Sequence, residues 1–128
     1  MTGRKGKYMP RFVALYMGWD RPEDQAEWNA LSPAEQAQRQ QDGMTAWGQW
    51  VERHQAAIVD MGSPLGKTLM ASPAGVTSTR NAVAAYVIVE ATSHDEAARM
   101  FENHPHFSIL PGRSVEILEC LAMPGAPG

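Results

Sequence analysis

Three histidines are the groups in this sequence best suited to proton-transfer chemistry. His104 and His106 flank Pro105 in a predicted turn, and His54 lies in a segment whose apolar residues have helical spacing. Imidazole changes charge near neutral pH, so it can act as a general acid or base once a neighbouring group orients it. We therefore take His54 and His106 as candidate catalytic residues and His104 as a candidate substrate-binding residue.

Each of these histidines also has a simpler interpretation. His54 can be a partly buried side chain with one hydrogen bond, and His106 can belong to an ordinary surface turn. The His-X-His spacing of residues 104–106 is compatible with two metal ligands. A third ligand is not close in the sequence, because His94 lies at the other end of the preceding helix. We therefore predict no metal site.

Three aromatic residues are further candidates for substrate binding. Tyr16 and Tyr86 lie on the two most apolar predicted strands, and a buried tyrosine hydroxyl needs a partner, which a polar ligand could provide. Trp50 lies beside the apolar stripe of the main predicted helix, where it could border a pocket or a dimer contact. Trp47 lies on the stripe itself and is predicted to pack in the core. Ordinary packing is the alternative for each candidate.

Capping and turn signals divide the chain into the elements that would position these residues. Ser32 and Glu35 form a capping box at the start of a helix that Gly43 is expected to break or kink. Ser93 opens a second capping box, and Gly62 is expected to end the main helix. The predicted order is strand 11–17, helix 44–61, edge strand 65–71, strand 82–91, a helix from 93 and strand 114–121.

This order of elements is the split βαβ arrangement, so we predict an α+β fold of the ferredoxin-like βαββαβ type. Strands 11–17 and 82–91 are apolar on both faces and take the central positions of that topology. Two helices cover only one face of such a sheet, so the other face needs a second copy of the chain. We predict a homodimer, a dimeric α+β barrel, with a pocket for a small molecule between the paired sheets.

Length and composition fit one domain. The chain has 128 residues, a formal net charge of −3 and a single cysteine, Cys120, which is predicted to be a small buried side chain. We place the domain at residues 11–122, between flexible tails at 1–10 and 123–128. The mild acidity argues against nucleic-acid binding, and no apolar segment is long enough to span a membrane. Without a disulfide framework, the predicted location is the cytoplasm.

Three blocks of the sequence resemble the YCII-related proteins. The first runs from Ala46-Trp47-Gly48-Gln49-Trp50 to Met61-Gly62-Ser63-Pro64-Leu65-Gly66, and the second is Tyr86-Val87-Ile88-Val89-Glu90-Ala91 followed by Asp95-Glu96-Ala97. The third is His104-Pro105-His106-Phe107 followed by Ser114-Val115-Glu116-Ile117. The order and spacing of the blocks carry the resemblance, which covers roughly residues 44–121.

The resemblance implies a small dimeric α/β-barrel domain in which a histidine on the first helix and a nearby carboxylate form an active pair. That histidine position falls near Val51 here, so the resemblance suggests His54, about one turn further along, and Asp60 as the pair. The predicted function is a cofactor-free enzyme that uses histidine acid–base chemistry on a small apolar or aromatic metabolite. The alternative is a non-catalytic small-molecule-binding or accessory dimer with the same pocket.

Overall fold

Residues 9–18 and 22–124 are described by a computed structural model of the protein. Most of the two predicted tails therefore lies outside the described residues. The described part is a mixed α+β domain with an antiparallel sheet. Its strands are β1 (Arg11–Met17), β2 (Ile58–Pro64), β3 (Thr68–Ser72), β4 (Gly75–Thr79), β5 (Val83–Glu90) and β6 (Ser114–Glu119). Its α-helices are α1 (Pro22–Asn29), α2 (Pro33–Arg53), α3 (His94–Arg99) and α4 (Pro105–Ser108).

The main sheet has four strands in the order β2-β5-β1-β6, and every neighbouring pair is antiparallel. β1 and β5, the strands whose sequences are apolar on both faces, form the central pair, as predicted. Leu15 shows the register at the centre of the sheet, because it lies opposite Tyr86 on β5 and opposite Glu116 on β6.

The buried core lies on one face of this sheet, and residues of β1, β5, α2 and the α3 region build it: Phe12, Ala14, Tyr16, Val87, Val89, Trp50, Ala97 and Phe101. Side chains alternate along a strand, so the intervening residues point to the other face. We call this other face the open face, and its apolar members are Val13, Leu15, Met17, Tyr86, Ile88 and Leu118. None of them belongs to the core cluster of the described residues.

α2 begins at the predicted capping box. Ser32 Oγ accepts from Glu35 N over 3.1 Å, and Glu35 Oε1 accepts from Ser32 N over 2.8 Å. The helix then continues through Gly43, where the sequence predicts a break. Gly43 is buried, and a Cβ there would lie 2.4 Å from Leu110 Cγ. Because Gly43 has no side chain, Leu110 can pack closely against α2 at this position. The glycine does not interrupt the helix.

The predicted helix 44–61 is wrong in its second half. α2 ends one residue before His54, and the stripe residues Ile58 and Met61 lie in β2. At this end the backbone N–H of His54 and its side-chain Nδ1 both bond to the Trp50 carbonyl, over 3.1 and 2.8 Å. The side chain thus competes for a backbone acceptor of the last turn, and a β-branched segment follows, which favours a strand.

β2 occupies one edge of the sheet and bulges beside Gly62. Ser63 lies opposite Tyr86, and the register shift before it places Met61 and Gly62 together opposite Val87. Gly62 has a φ of 69°, and a Cβ there would lie 1.7 Å from the Tyr86 carbonyl oxygen. Gly62 is therefore required by the bulge and does not terminate a helix, which corrects the prediction.

The predicted edge strand 65–71 is a strand from Thr68, as β3, but its predicted place at the edge of the main sheet is wrong. β2 takes that edge, and the chain next forms a separate two-stranded hairpin, β3–β4, that the sequence analysis did not anticipate. The hairpin turn falls at residues 72–75, where Ser72 Oγ accepts from Ala74 N over 3.2 Å. On one face of the hairpin, Leu69 and Val76 are 70% and 69% exposed.

The second half of the chain follows the prediction more closely. β5 and β6 lie within the predicted strands 82–91 and 114–121, and Ser93 Oγ accepts from Glu96 N over 3.0 Å at the start of α3. Cys120, predicted to be buried, is exposed just after β6. None of the helices in residues 9–18 and 22–124 combines the length and apolar character that a transmembrane helix needs.

Candidate functional site

A cavity of about 560 Å³ lies between α2 and the β2–β5 side of the sheet, on the face that α2 covers and not on the open face where the sequence predicts a pocket between paired sheets. Small-molecule sites usually have volumes of roughly 300–1,000 Å³. The walls are mainly apolar, and the described lining residues include two groups of chemical interest, Tyr16 and His106. Met44 and Met61 also line the cavity while they are 66% and 60% exposed, so they stand at its mouth.

The buried imidazole of His104 forms a hydrogen bond with the Tyr16 hydroxyl. Tyr16 Oη lies 3.3 Å from His104 Nε2, and the two residues are 2% and 0% exposed. The rings of Trp47 and Trp50 pack against the His104 ring at centroid distances of 4.6 and 4.8 Å. His104 is not among the described lining residues of the cavity. It is thus an enclosed partner of the tyrosine, with aromatic rings fixing its orientation.

The backbone sets the position of the proton on His104. His106 N donates to His104 Nδ1 over 3.0 Å, so Nδ1 carries the lone pair. A neutral His104 then carries its proton on Nε2 and donates it to the Tyr16 oxygen. The Tyr16 hydroxyl can therefore donate its own proton to a different acceptor. Because Tyr16 lines the cavity, that acceptor can be a ligand in the cavity.

His106 is held by backbone groups on several sides. Its Nε2 donates to the Met17 carbonyl over 2.8 Å, and its own carbonyl accepts from Gly112 N over 2.8 Å. Gly112 also lies against the ring, because a Cβ there would be 2.4 Å from both Nε2 and Cε1. Since Nε2 carries the proton, Nδ1 carries the lone pair. Every fully enclosed side-chain nitrogen or oxygen of the described residues has a partner, so the unpartnered Nδ1 is not fully enclosed.

Burial keeps these groups uncharged at neutral pH. It lowers the pKa of His104 to about 3, and repulsion from His106 and His54 contributes less. Burial also lowers the pKa of His106, and the hydrogen bond to Met17 opposes that change. The pKa of the Tyr16 hydroxyl is raised well above its ordinary value, again by burial. The site therefore presents an uncharged hydrogen-bond donor and an uncharged base.

Both tryptophans pack in or against the core, as predicted for Trp47, and both also line the cavity, as predicted for Trp50. Trp50 is 2% exposed, and its Nε1 donates to the Met100 carbonyl over 2.8 Å, so it is a core residue that also forms part of the cavity wall. Trp47, predicted to lie in the core, is half-buried and lines the cavity. Gly48 lies on the same wall, and a Cβ there would meet nothing within 4 Å. This part of α2 thus leaves space for a ligand.

Three predicted site residues direct their polar groups elsewhere. His54 caps α2, packs on Trp50 at 4.5 Å and is not among the described lining residues. Asp60 is exposed, and its Oδ1 accepts from Gly62 N over 2.8 Å, which supports the bulge of β2. Tyr86 borders the cavity, but strand alternation directs its side chain to the open face. Of the predicted residues, the structure thus gathers Tyr16, Trp50, His104 and His106.

Two contributors to the site were not predicted, the Met17 carbonyl and Gly112. A backbone acceptor leaves no signature in a sequence, and a glycine in a turn does not reveal which ring it approaches. The described residues contain no group of three or more His, Cys, Asp or Glu side chains that could hold a metal ion.

Comparison with known proteins gives a loose likeness to a solved structure. No protein-family model matches the chain, and no curated protein matches it. Among solved structures, it is similar to 5-chloro-2-hydroxyhydroquinone dehydrochlorinase (TftG) from Burkholderia phenoliruptrix AC1100 in complex with 2,5-dihydroxybenzoquinone. The identity is 24% and the TM-score 0.46, over 84% of this chain and 89% of that one. A likeness at this level carries no inference about function, and membership of the YCII-related family stays a prediction.

Proposed function

We propose that the protein binds a small, flat, mainly apolar molecule in the cavity and that His106 acts on it as a general base. The observation that carries this proposal is the placement of Tyr16 and His106 on the wall of an otherwise apolar space. Their ring centroids are 5.2 Å apart, so one small ligand can contact both side chains. Aromatic ligands suit the site because Trp47 and Trp50 form part of the wall.

In this proposal His106 Nδ1 takes the proton. Nε2 is committed to the Met17 carbonyl, and a lowered pKa keeps the Nδ1 lone pair available at neutral pH. Tyr16 donates a hydrogen bond to the ligand oxygen on which negative charge develops as the proton leaves. His104 donates a hydrogen bond to the Tyr16 oxygen and does not transfer a proton in the reaction. The reaction class is proton transfer on a small apolar or aromatic molecule, a step for which no cofactor is proposed.

Non-catalytic ligand binding is the second candidate. One observation favours it: among the described residues that line the cavity, none is Asp or Glu. A carboxylate beside an imidazole stabilises its protonated form and makes it a stronger base. Without that support, Tyr16 and His106 would only recognise the polar edge of a ligand.

We further propose that the chain is a YCII-related protein that forms a ferredoxin-like dimeric α+β barrel. The open face supports this, because Leu15 and Tyr86 at its centre are half-buried and Leu118 is 43% exposed. A second copy packed sheet against sheet would remove this apolar surface from water. Sedimentation equilibrium should give a dimer, and Leu15→Glu should give a monomer, while the exposed hairpin variant Val76→Glu should remain dimeric. A monomeric wild type at micromolar concentration contradicts the proposal.

Binding and turnover separate the two candidate functions. Because Trp47 lines the cavity, quenching of tryptophan fluorescence reports ligand entry for a panel of small aromatic compounds. We expect His106→Gln to bind a substrate within about threefold of the wild type and to lose turnover by at least about 100-fold. His94→Gln is the matched control, since His94 is exposed and bonds to the Ile117 carbonyl outside the cavity.

Each outcome assigns the function differently. Equal turnover by the wild type and His106→Gln contradicts the role of His106 as a base. Ligand binding without turnover of any compound in the panel favours the second candidate. If no compound of the panel binds, both candidates are wrong.

A further inference from the structure

We infer that the cavity accepts its ligand only in an uncharged form, and that the ligand carries a hydrogen-bond acceptor beside a hydrogen-bond donor. This inference rests on the proposed function, in that it assumes the cavity is the ligand site. It adds the chemical class of the ligand, a neutral aromatic or similarly flat molecule with an oxygen acceptor next to a hydroxyl group.

The charges of the lining support the first part. Among the described residues that line the cavity, none is Asp, Glu, Lys or Arg. The nearest carboxylate along β2, that of Asp60, is exposed and bonded to Gly62 N. An ionised carboxylate, phosphate or ammonium group in this space would lose its hydration without gaining an opposite charge, which costs several kcal/mol.

Backbone amides do not replace the missing charge. The cavity contacts the middle and the C-terminal half of α2, through residues such as Trp47 and Val51, where amide groups are bonded within the helix. The N-terminal amides of α2, which could attract an anion, lie at Ser32 and Glu35 and are closed by the capping box. At the bulge, the amide of Gly62 is already bonded to Asp60.

The hydrogen-bonding groups support the second part. The Tyr16 oxygen accepts from His104, so Tyr16 offers its O–H to a ligand as a donor. His106 donates through Nε2 to Met17, so it offers Nδ1 as an acceptor. Trp50 contributes neither, because its indole N–H is bonded to a backbone carbonyl. A matching ligand therefore presents an acceptor to Tyr16 and a donor to His106.

The test compares three small aromatic probes: one has a donor beside an acceptor, one has acceptors only, and one lacks a donor and is charged. Guaiacol has a methoxy oxygen beside a hydroxyl group, veratrole has two methoxy groups and no donor, and benzoate is an anion at neutral pH. Titration followed by tryptophan fluorescence and calorimetry should show guaiacol binding roughly tenfold more tightly than veratrole, the effect of one hydrogen bond. Benzoate, which lacks a donor as veratrole does but is charged, should bind at least tenfold more weakly than veratrole.

Variants of the chain assign the binding to this cavity. Gly48→Leu fills open space on the cavity wall and removes a helix-weakening glycine, so it should fold and lose the binding of guaiacol. Gln49→Leu, an added leucine at the neighbouring exposed position outside the described lining, should bind normally. Tyr16→Phe should lower the affinity for guaiacol by about tenfold and change that for an acceptor-free arene such as toluene less than twofold.

The outcomes separate this inference from the proposed function. If benzoate binds as tightly as veratrole and Gly48→Leu abolishes both, the cavity is the ligand site and the selection of uncharged ligands is wrong. Equal affinities for guaiacol and veratrole contradict the donor–acceptor pattern. If guaiacol binds Gly48→Leu as tightly as the wild type, binding lies elsewhere and the proposed function itself fails.

Discussion

Two of the regions that carry histidines, the 104–106 turn and the end of α2, differ in how firmly the imidazole is held. In the 104–106 turn, both imidazoles are buried, and backbone groups bond to His104 Nδ1 and His106 Nε2. At the end of α2, His54 bonds only to a carbonyl of its own helix, and Asp60 supports an exposed bulge. Backbone groups therefore define the proton positions of the two buried imidazoles, without help from a carboxylate of the described residues.

Proline accounts for part of this difference. His104 precedes Pro105 and has a ψ of 140°, the extended conformation that a following proline favours. This conformation lets the His104 side chain accept from His106 N as the N-cap of α4. His54 has no following proline, and its backbone continues directly into a 3₁₀ turn at Gln55–Ala57. Its side chain therefore stays beside the last turn of α2.

The largest expected effect comes from removing the enclosed imidazole. His104→Leu leaves His106 N without its acceptor and the Tyr16 oxygen without its donor, so we expect the free energy of unfolding to fall by about 2–4 kcal/mol. His54→Leu should change it by less than about 1 kcal/mol. Chemical denaturation followed by circular dichroism measures both. Equal losses for the two variants would remove the distinction between the two regions.

The pH dependence of stability should reveal the same difference. The folded protein keeps His104 neutral down to pH about 3, while the unfolded chain binds a proton near the ordinary pKa of 6.5. Between these values the unfolded state holds more protons, so stability falls as the pH decreases below 6.5, by about 1.4 kcal/mol per pH unit for this histidine. Denaturation at pH 7, 6 and 5 tests this expectation. A flat profile contradicts it, and His104→Leu should reduce the slope.

A smaller loss of stability is expected from a substitution at Gly112, whose backbone lies against the His106 ring. Gly112→Ala places a methyl group where the His106 ring stands, so we expect about 1–2 kcal/mol of lost stability and roughly tenfold weaker binding of a cavity ligand. Gly66→Ala is the matched control, because a Cβ there meets nothing within 4 Å. Unchanged ligand affinity in Gly112→Ala would show that the position of His106 does not matter for binding.

The smallest effect is expected at the carboxylate that the resemblance suggested. Asp60→Ala removes an exposed acceptor for Gly62 N, so stability should fall by about 0.5–1 kcal/mol and ligand turnover should stay within twofold. Asp60→Asn retains an acceptor oxygen and should restore the stability. A tenfold loss of turnover in both variants would instead favour the His54–Asp60 pair as the catalytic groups.

Local signals in the sequence predicted a large part of the fold. The double-sided apolar patterns of β1 and β5 predicted the central strands, and Ser32 and Ser93 marked two helix starts correctly. The capping box closes only at Ser32, because the Glu96 carboxylate accepts from Thr92 and not from Ser93 N. These signals need only neighbours along the chain. Tyr16 and His106 were named as candidates because a tyrosine on a central strand and a histidine in a turn both lie where pockets form.

The errors arose where a distant residue decides the structure. Gly43 and Gly62 were interpreted as helix breakers, but one accommodates Leu110 and the other the Tyr86 carbonyl, both far away in sequence. The stripe through Ile58 and Met61 has helical spacing, yet those residues pair with β5. His104 was given the role of a ligand contact, because no sequence pattern reveals that two indoles enclose it.

The β3–β4 hairpin makes this chain a convenient carrier for added sequence. Its tip residues Pro73 and Ala74 are exposed and lie outside the main sheet and outside the described cavity lining. Loop tips of this kind tolerate inserted segments well. An epitope or a fluorescent label placed between the two residues would project into water, and the chain could then be immobilised or tracked with its cavity lining unchanged.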